Sequence, residues 1–596
     1  MRTLLSLCCA IVMTAVGCKQ EATVDPLVDA VGIVESAYGV AYSNSAAIGW
    51  SVDAGSVDRV SVYRHMTALF SRSSALQIAV ITDSMQHSVV DSGLVNGTEY
   101  FYTIVPEKQD AEGGIVQGLG TKRISLTPYD PTVLTAGTIV YSQHIQPIFS
   151  TGCAVSGCHS GASHAKAGRT LHGSTSLDLS SWTSAIAGTD PVAQIVPFRS
   201  SKSHIIQHLN SDTLVAPVAS PSMPPGIRFP STVRDLLRRW IDAGAKNDDG
   251  TVAYSAAPVR GWAYVTNQGE DLTAVIDLDR NRIARYVTTG LASVGTASPQ
   301  APHNAVVDWQ NQYYYVNLIG GSKLLKFRVS DNTLAGELTS GLSSPAQVAL
   351  TKNSDTAFVT NFENGKTNIT VVNTVTMTKI GDIGSPAMLK PHGVTITPDF
   401  RSVIVANSLS DNITVINTSD RSIAAVIPVS GSVPALPVNY TYQFEPYQSV
   451  ITPDSRFVFV TCRKSGEVRV IDLQLGTVID SITVGTFPLI PAITPAGDIV
   501  FVANRNSNSV TAVSVATRSV LFTVPNVGVE PHGIAVSKDG KYVYVSCENL
   551  GVSEPPHHAT SGGKKPSFLK VIDIASRSVI ASLELGNFGS GMAVTN

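Results

Sequence analysis

Residues 151–160 read TGCAVSGCHS and hold two cysteines, Cys153 and Cys158, with His159 directly after the second. Two thiols and an imidazole at this spacing support three chemistries: a small disulfide loop, a zinc site, or a porphyrin fixed through two thioethers with the imidazole on its iron. A disulfide would use neither His159 nor Met223, which follows in the proline-rich stretch SPSMPPG. Zinc would want more ligands, and residues 138–248 offer no third cysteine, only His144, His164, His172, His204 and His208. Haem attachment normally uses C-x-x-C-H, whereas the spacing here is C-x-x-x-x-C-H. The longer loop must bulge while Cys158 and His159 keep their places. Met223 would then supply a soft thioether to the far side of the iron, held stiffly by its flanking prolines, and such a ligand raises the potential, which suits electron transfer.

These residues need a scaffold, and the segment around them supplies one. In STVRDLLRRWIDAGA the apolar positions Val233, Leu236, Leu237, Trp240 and Ile241 recur at helical spacing. The whole pattern over 138–248, I-x-P-I-F, then C…G-C-H, L-D-L, M-P-P and W-I-x-x-G-A, resembles the small cytochrome c domains of environmental bacteria. That resemblance implies a small α-helical domain with one haem c bonded to Cys153 and Cys158. His159 would be the proximal iron ligand and Met223 the distal one.

From about residue 260 to 596 the chain repeats itself. A strand ending in YVTN or a variant recurs seven times, ending at Asn267, Asn317, Asn361, Asn407, Cys462, Asn504 and Cys547. Units of about 42–55 residues with four strands each have the size of propeller blades. The repeat resembles the YVTN family of seven-bladed β-propellers. The first unit lacks an inner strand, and the chain's last residues, GSGMAVTN, match what is missing. Gly591–Asn596 should therefore pair with Trp262–Asn267 and close the ring, removing two exposed edges. Cys462 and Cys547, on blades that do not touch, are expected to be buried free thiols.

Three blades open their inner strand with Pro-His, at His303, His392 and His532, where the others carry Ala346, Tyr447, Leu489 and Ser590. The last blade adds a long insertion containing His557 and His558. Imidazoles gathered at one mouth of the ring would suit copper, zinc or a second haem. Periplasmic reductases that join a propeller to copper or to a second haem offer an analogy, from which this chain departs in histidine count and blade number. The plainer account is that Pro-His-Gly merely begins a blade, its imidazole bonded to neighbouring backbone.

The N-terminus, MRTLLSLCCAIVMTAVGCKQ, has Arg2, an apolar run too short to span a bilayer, and AVGC. It resembles a lipoprotein signal, residues 1–17, with Cys18 as the lipidated residue and 18–26 a linker. That would place the chain in the periplasm or on the surface of a bacterium, most readily on the outer membrane. Disulfides form and haem is attached in such a compartment. Residues 27–127 alternate in short strands, and LVNGTEYFYTIVPE resembles the end of a fibronectin type III domain, with Leu94, Gly97 and Tyr100 at a tyrosine corner and Trp50 and Tyr63 in the core. The fold class expected is thus multidomain and mainly β, with a sandwich, a small helical domain and a propeller. A net charge of −3 leaves no basic footprint for nucleic acid, and no nucleotide loop, nucleophile elbow or H-E-x-x-H motif occurs.

Three functions follow as expectations. The first is a membrane-tethered cytochrome that passes electrons to a redox partner protein, with the propeller as docking or substrate module. The second is a reductase or oxidase whose propeller histidines hold their own cofactor. The third is a surface-binding scaffold.

Overall fold

The computed structural model describes residues 31–595, apart from 53–56, 70, 72, 119–121, 136, 155–158, 160–176, 189–192, 210–217, 221, 225–226, 291–299, 432–440 and 558–564. Cys18, Cys158 and His558 lie outside the described residues. The chain forms two compact units, 1–128 and 129–596. Among the described residues no helix is long and apolar enough to cross a membrane.

The first unit is a two-sheet sandwich. Strands β1 (Val34–Tyr42), β2 (Ser45–Val52) and β5 (Ser88–Ser92) make one sheet. Strands β3 (Arg59–His65), β4 (Leu76–Ile81), β6 (Tyr100–Gln109), β7 (Ile115–Gln117) and β8 (Lys122–Leu126) make the other. Alternating residues of both sheets meet around Trp50, Val62, Tyr102 and Ile104. The Tyr100 hydroxyl accepts the Val95 N–H at 3.0 Å, which ties the turn before β6 to the strand it leads into. Gly97 stands at φ +83°, a conformation that favours glycine.

The second unit begins with short helices: α1 (Gln146–Gly152), α2 (Trp182–Ala187), α3 (His204–Leu209) and α4 (Ser231–Asp242). Helix α4 buries Val233, Leu236, Leu237, Trp240 and Ile241, the five positions its periodicity marks. The Trp240 ring meets Phe149 of α1 edge-on at 6.2 Å and Tyr141, just before α1, at 5.6 Å. This small core docks on the propeller's first blade. Val196 joins that blade's apolar cluster, Arg199 donates to the Thr288 hydroxyl at 2.7 Å, Arg285 lies over the Phe198 ring, and Lys202 pairs with Glu270.

The propeller holds seven four-stranded antiparallel sheets. Six are consecutive hairpins, and the first is assembled from both ends of the domain: Gly589–Val594 pairs with Trp262–Asn267, Gly589 opposite Asn267 and Val594 opposite Ala263. The inner strands touch in an unbroken cycle from blade one through blade seven and back. Six of them begin at proline: Pro302, Pro345, Pro391, Pro446, Pro488 and Pro531. Proline suits a strand's first residue, where its missing N–H interrupts no ladder bond.

The repeat's letters now have physical roles. Its asparagine joins the second strand to the third: Asn407 donates to Asn412 and Thr414, and Asn504 to Ser509 and Thr511. The hydroxyl residue before it staples the next blade. Thr266 donates to His303 O, Thr360 to His392 O, Thr461 to Leu489 O and Ser546 to Ser590 O. Blades two, four and six carry Asn317, Ala406 and Ala503 there, which have no hydroxyl. Their seams use other links, such as Asn304 to Gln347, Ser408 to Pro446 O, and Arg505 to Glu530. The second blade corrects the expected register by one residue. Pro302 pairs with Leu318, as Pro391 does with Asn407, so Leu318 and not Asn317 holds the asparagine position.

Candidate functional site

In the helical module, Cys153 caps the end of α1, its N–H on Phe149 O at 2.9 Å, and the His159 N–H returns to Cys153 O at 3.0 Å. The His159 carbonyl then accepts the Leu179 N–H, and the Met223 N–H bonds His208 O at 3.1 Å, anchoring the methionine loop on α3. The His204 and His208 rings meet edge-on at 4.7 Å on α3, both buried. His144 serves a local role, its Nδ1 accepting the Val140 N–H at 2.9 Å. Nearby, the Tyr141 hydroxyl is buried with no hydrogen-bond partner among the described residues. A thiol that can form a thioether, an imidazole and a methionine thioether are the side-chain types used at c-type haem sites, and Cys153, His159 and Met223 supply them.

The second candidate lies at the propeller axis. The residue after each inner-strand proline, or after Gly589 in blade one, is in ring order Ser590, His303, Ala346, His392, Tyr447, Leu489 and His532. The small Ser590 and Ala346 stand on either side of His303 in that order, leaving room for the imidazoles to meet. His303 lies edge-on to His392 at 5.6 Å and to His532 at 5.4 Å between ring centroids. The Nε2 atoms of His303 and His392 are 3.4 Å apart. All three rings are buried.

Each imidazole is oriented through Nδ1. That of His392 donates to Tyr447 O at 3.0 Å, and that of His532 to the Glu548 carboxylate at 2.6 Å. That of His303 faces Gln268 Oε1 at 3.1 Å. Three Nε2 atoms are thus turned away from these anchors, and that of His532 is buried with no hydrogen-bond partner. Burial, reinforced by the neighbouring His532, pushes the His303 imidazole down to about 3, and burial with the adjacent His303 holds His392 well below the ordinary histidine range. Both rings are therefore neutral at physiological pH. Burial opposes ionisation of Glu548, yet hydrogen bonds from His532 and Arg505 outweigh it and hold the carboxyl down to about 2. Tyr447 stacks on His392 at 3.6 Å, and Phe362 meets it edge-on at 4.6 Å. Around them Arg463 covers Tyr447, and Lys390 covers Phe362.

Of the histidines expected at this mouth, the structure brings three together. His557 is exposed in the insertion, its N–H on the Glu584 carboxylate of the same blade's outer strand, away from the contacts that join the three. Among the described residues no three histidine, cysteine or acidic side chains already surround one point at metal-holding distance. Gln268 and Glu548, which orient two of the rings, are not among the candidate residues the sequence singles out. Their signal is positional: each directly follows the repeat's fourth letter, as do Phe362, Arg463 and Arg505. Aligning the seven copies one residue further would have found them.

The comparisons support the propeller. The model of the lactonase seven-bladed β-propeller family matches residues 290–551. No curated protein matches the chain. Among solved structures, the chain is similar to Kuenenia stuttgartiensis hydrazine synthase at 17% identity, covering 50% of this chain and 91% of that one, with a TM-score of 0.40. A functionally unknown protein from Desulfotomaculum acetoxidans gives 15% identity, 56% and 99% coverage, and a TM-score of 0.45. The β-propeller domain of Myceliophteria thermophila Cps50 (Swd1) gives 10%, 50% and 91%, and 0.40.

Proposed function

We propose that the protein is an extracytoplasmic c-type cytochrome whose helical module carries one haem and passes electrons to a redox partner protein, with the propeller as docking or substrate module. The observation that supports this reading is the His159 N–H bonded to Cys153 O at the end of α1, with the Met223 N–H bonded separately to His208 O on α3. Cys153 and Cys158 would hold the group, and His159 and Met223 would bind its iron. When bound, the haem supplies a one-electron couple. The protein's own part is to fix the ligand loops and keep water from them, and the apolar packing of Trp240, Phe149 and Tyr141 supports the α1 end of that frame. Lipidation at Cys18 would tether the chain to a membrane, and a fibronectin type III-like sandwich would act as its spacer.

The test is full-length chain made with haem-attachment machinery. A haem c absorption spectrum that survives denaturation and acid-acetone extraction is expected, and it should vanish in Cys158→Ser. Met223→Leu should keep the covalent haem but shift its spectrum and lower its potential. Protein that comes out colourless, or loses its colour on extraction, overturns the reading.

A further inference from the structure

We propose that the propeller axis holds a divalent first-row transition ion, copper(II) or zinc(II), on the Nε2 atoms of His303, His392 and His532. The proposal is independent of the haem reading. It starts from a contact that needs an explanation. Nδ1 of His392 donates to a carbonyl, so its Nε2 presents a lone pair toward Nε2 of His303. The two Nε2 atoms face each other across 3.4 Å in a buried site. Such a pair is held by a proton or by a cation shared between the two nitrogens.

A metal ion answers that need. Two nitrogens bound to one tetrahedral zinc ion at about 2.0–2.1 Å stand about 3.3 Å apart, close to the spacing found here. Neighbouring ligands of a tetragonal copper(II) ion stand about 2.9 Å apart, which the rings reach by closing about half an ångström. His532 supplies the third ligand. Its Nε2 is buried without a partner and its ring touches that of His303, and in the proposal it turns toward the pair to complete the site. Glu548 on its Nδ1 forms the carboxylate–histidine pairing that fixes ring orientation and strengthens a ligand at metal sites. Neutral imidazoles are the ligand type that copper and zinc favour over magnesium or calcium. A porphyrin does not fit between rings already in contact, so an ion is preferred over a second haem. Three protein ligands leave a fourth position open, and open positions are what catalytic ions keep.

One arrangement of the same atoms needs no ion. If the Gln268 amide turned to present its NH2, His303 would carry its proton on Nε2 and donate it to His392. The experiment separates the two. Full-length protein is stripped with a chelator, incubated with copper(II) or zinc(II), desalted, and its metal measured beside haem iron, which is a different element. About one equivalent of copper or zinc is expected. His303→Gln and His392→Gln should each cut retention at least ten-fold, and Glu548→Gln should weaken affinity about 10–100-fold. Copper-loaded protein should show nitrogen hyperfine couplings from three imidazoles. Retention below a tenth of an equivalent, or retention unchanged in both histidine variants, overturns the site. Should a variant fail to fold, the copper spectrum of the unaltered chain decides alone, and a spectrum without imidazole couplings sinks the proposal.

Discussion

Cys462 and Cys547 replace an asparagine that other blades use to tie two strands together, and their surroundings have changed with them. Opposite Asn407 and Asn504 the next strand offers Asn412 and Thr414, or Ser509 and Thr511. Opposite Cys462 it offers Glu467 and Arg469, paired with each other at 2.8 Å, and opposite Cys547 it offers Phe568 and Lys570. The thiols therefore act as small apolar fillers, and burial pushes both well up from the ordinary cysteine range. Neither should react with an alkylating reagent in the native protein, and both should react after unfolding, as mass measurement on the full chain would read. Labelling of either under native conditions would show that its blade opens locally. Both positions were legible as buried free thiols, because they take the asparagine position of a mostly apolar strand on blades that do not touch. The exchange of hydrogen-bonding partners for charged or aromatic ones was not, since it appears only once the strands are in register.

At the scale of the element, the Pro-His-Gly triplet divides three tasks among three residues. Proline starts the strand, histidine reaches the axis, and glycine lets the neighbouring inner strand come close. A Cβ on Gly393 would stand 2.5 Å from the Tyr447 carbonyl, and one on Gly533 would meet the Ser590 carbonyl. Backbone cannot yield there as a side chain would. Gly393→Ala should cost about 1–3 kcal/mol, while Thr360→Val, which removes one staple, should cost about 1 kcal/mol. Denaturant melts of the two variants check the order, and a neutral Gly393→Ala would mean that the blades separate more easily than they pack. The triplet could be read from the sequence as a blade start. What it left open was which histidines meet, since that depends on the small residues at Ala346 and Ser590 and on the course of a long insertion. Blade two misled in another way: YYYVNL contains an asparagine one place before the equivalent position, and a polar letter outweighed strand length as a guide.

For the whole molecule, closure is the governing event. Blade one is complete only when Gly589–Val594 reaches Trp262–Asn267, so the ring's stability depends on contacts between the most distant parts of the domain. Ending the chain at residue 588 removes that strand, including the buried Met592. The shortened protein should associate into larger species and lose its sharp thermal transition, because Trp262–Asn267 becomes an open edge. Size-exclusion chromatography and calorimetry would show this, and a monomer with the parent's transition would refute it. Closure was evident from the sequence because a terminal fragment matched a missing piece of a periodic pattern. The docking of the helical module on blade one was not, for Val196, Arg199 and Lys202 belong to no repeat.

The hydroxyl staples carry a last implication, which is one of parity. They join blade one to two, three to four, five to six and seven to one, skipping every second seam. An odd-membered circle cannot alternate all the way round, so somewhere two like joints must be neighbours. They are neighbours on either side of blade one, the blade sewn from both ends of the domain. The blade that closes the ring is thereby held to both its neighbours by this staple.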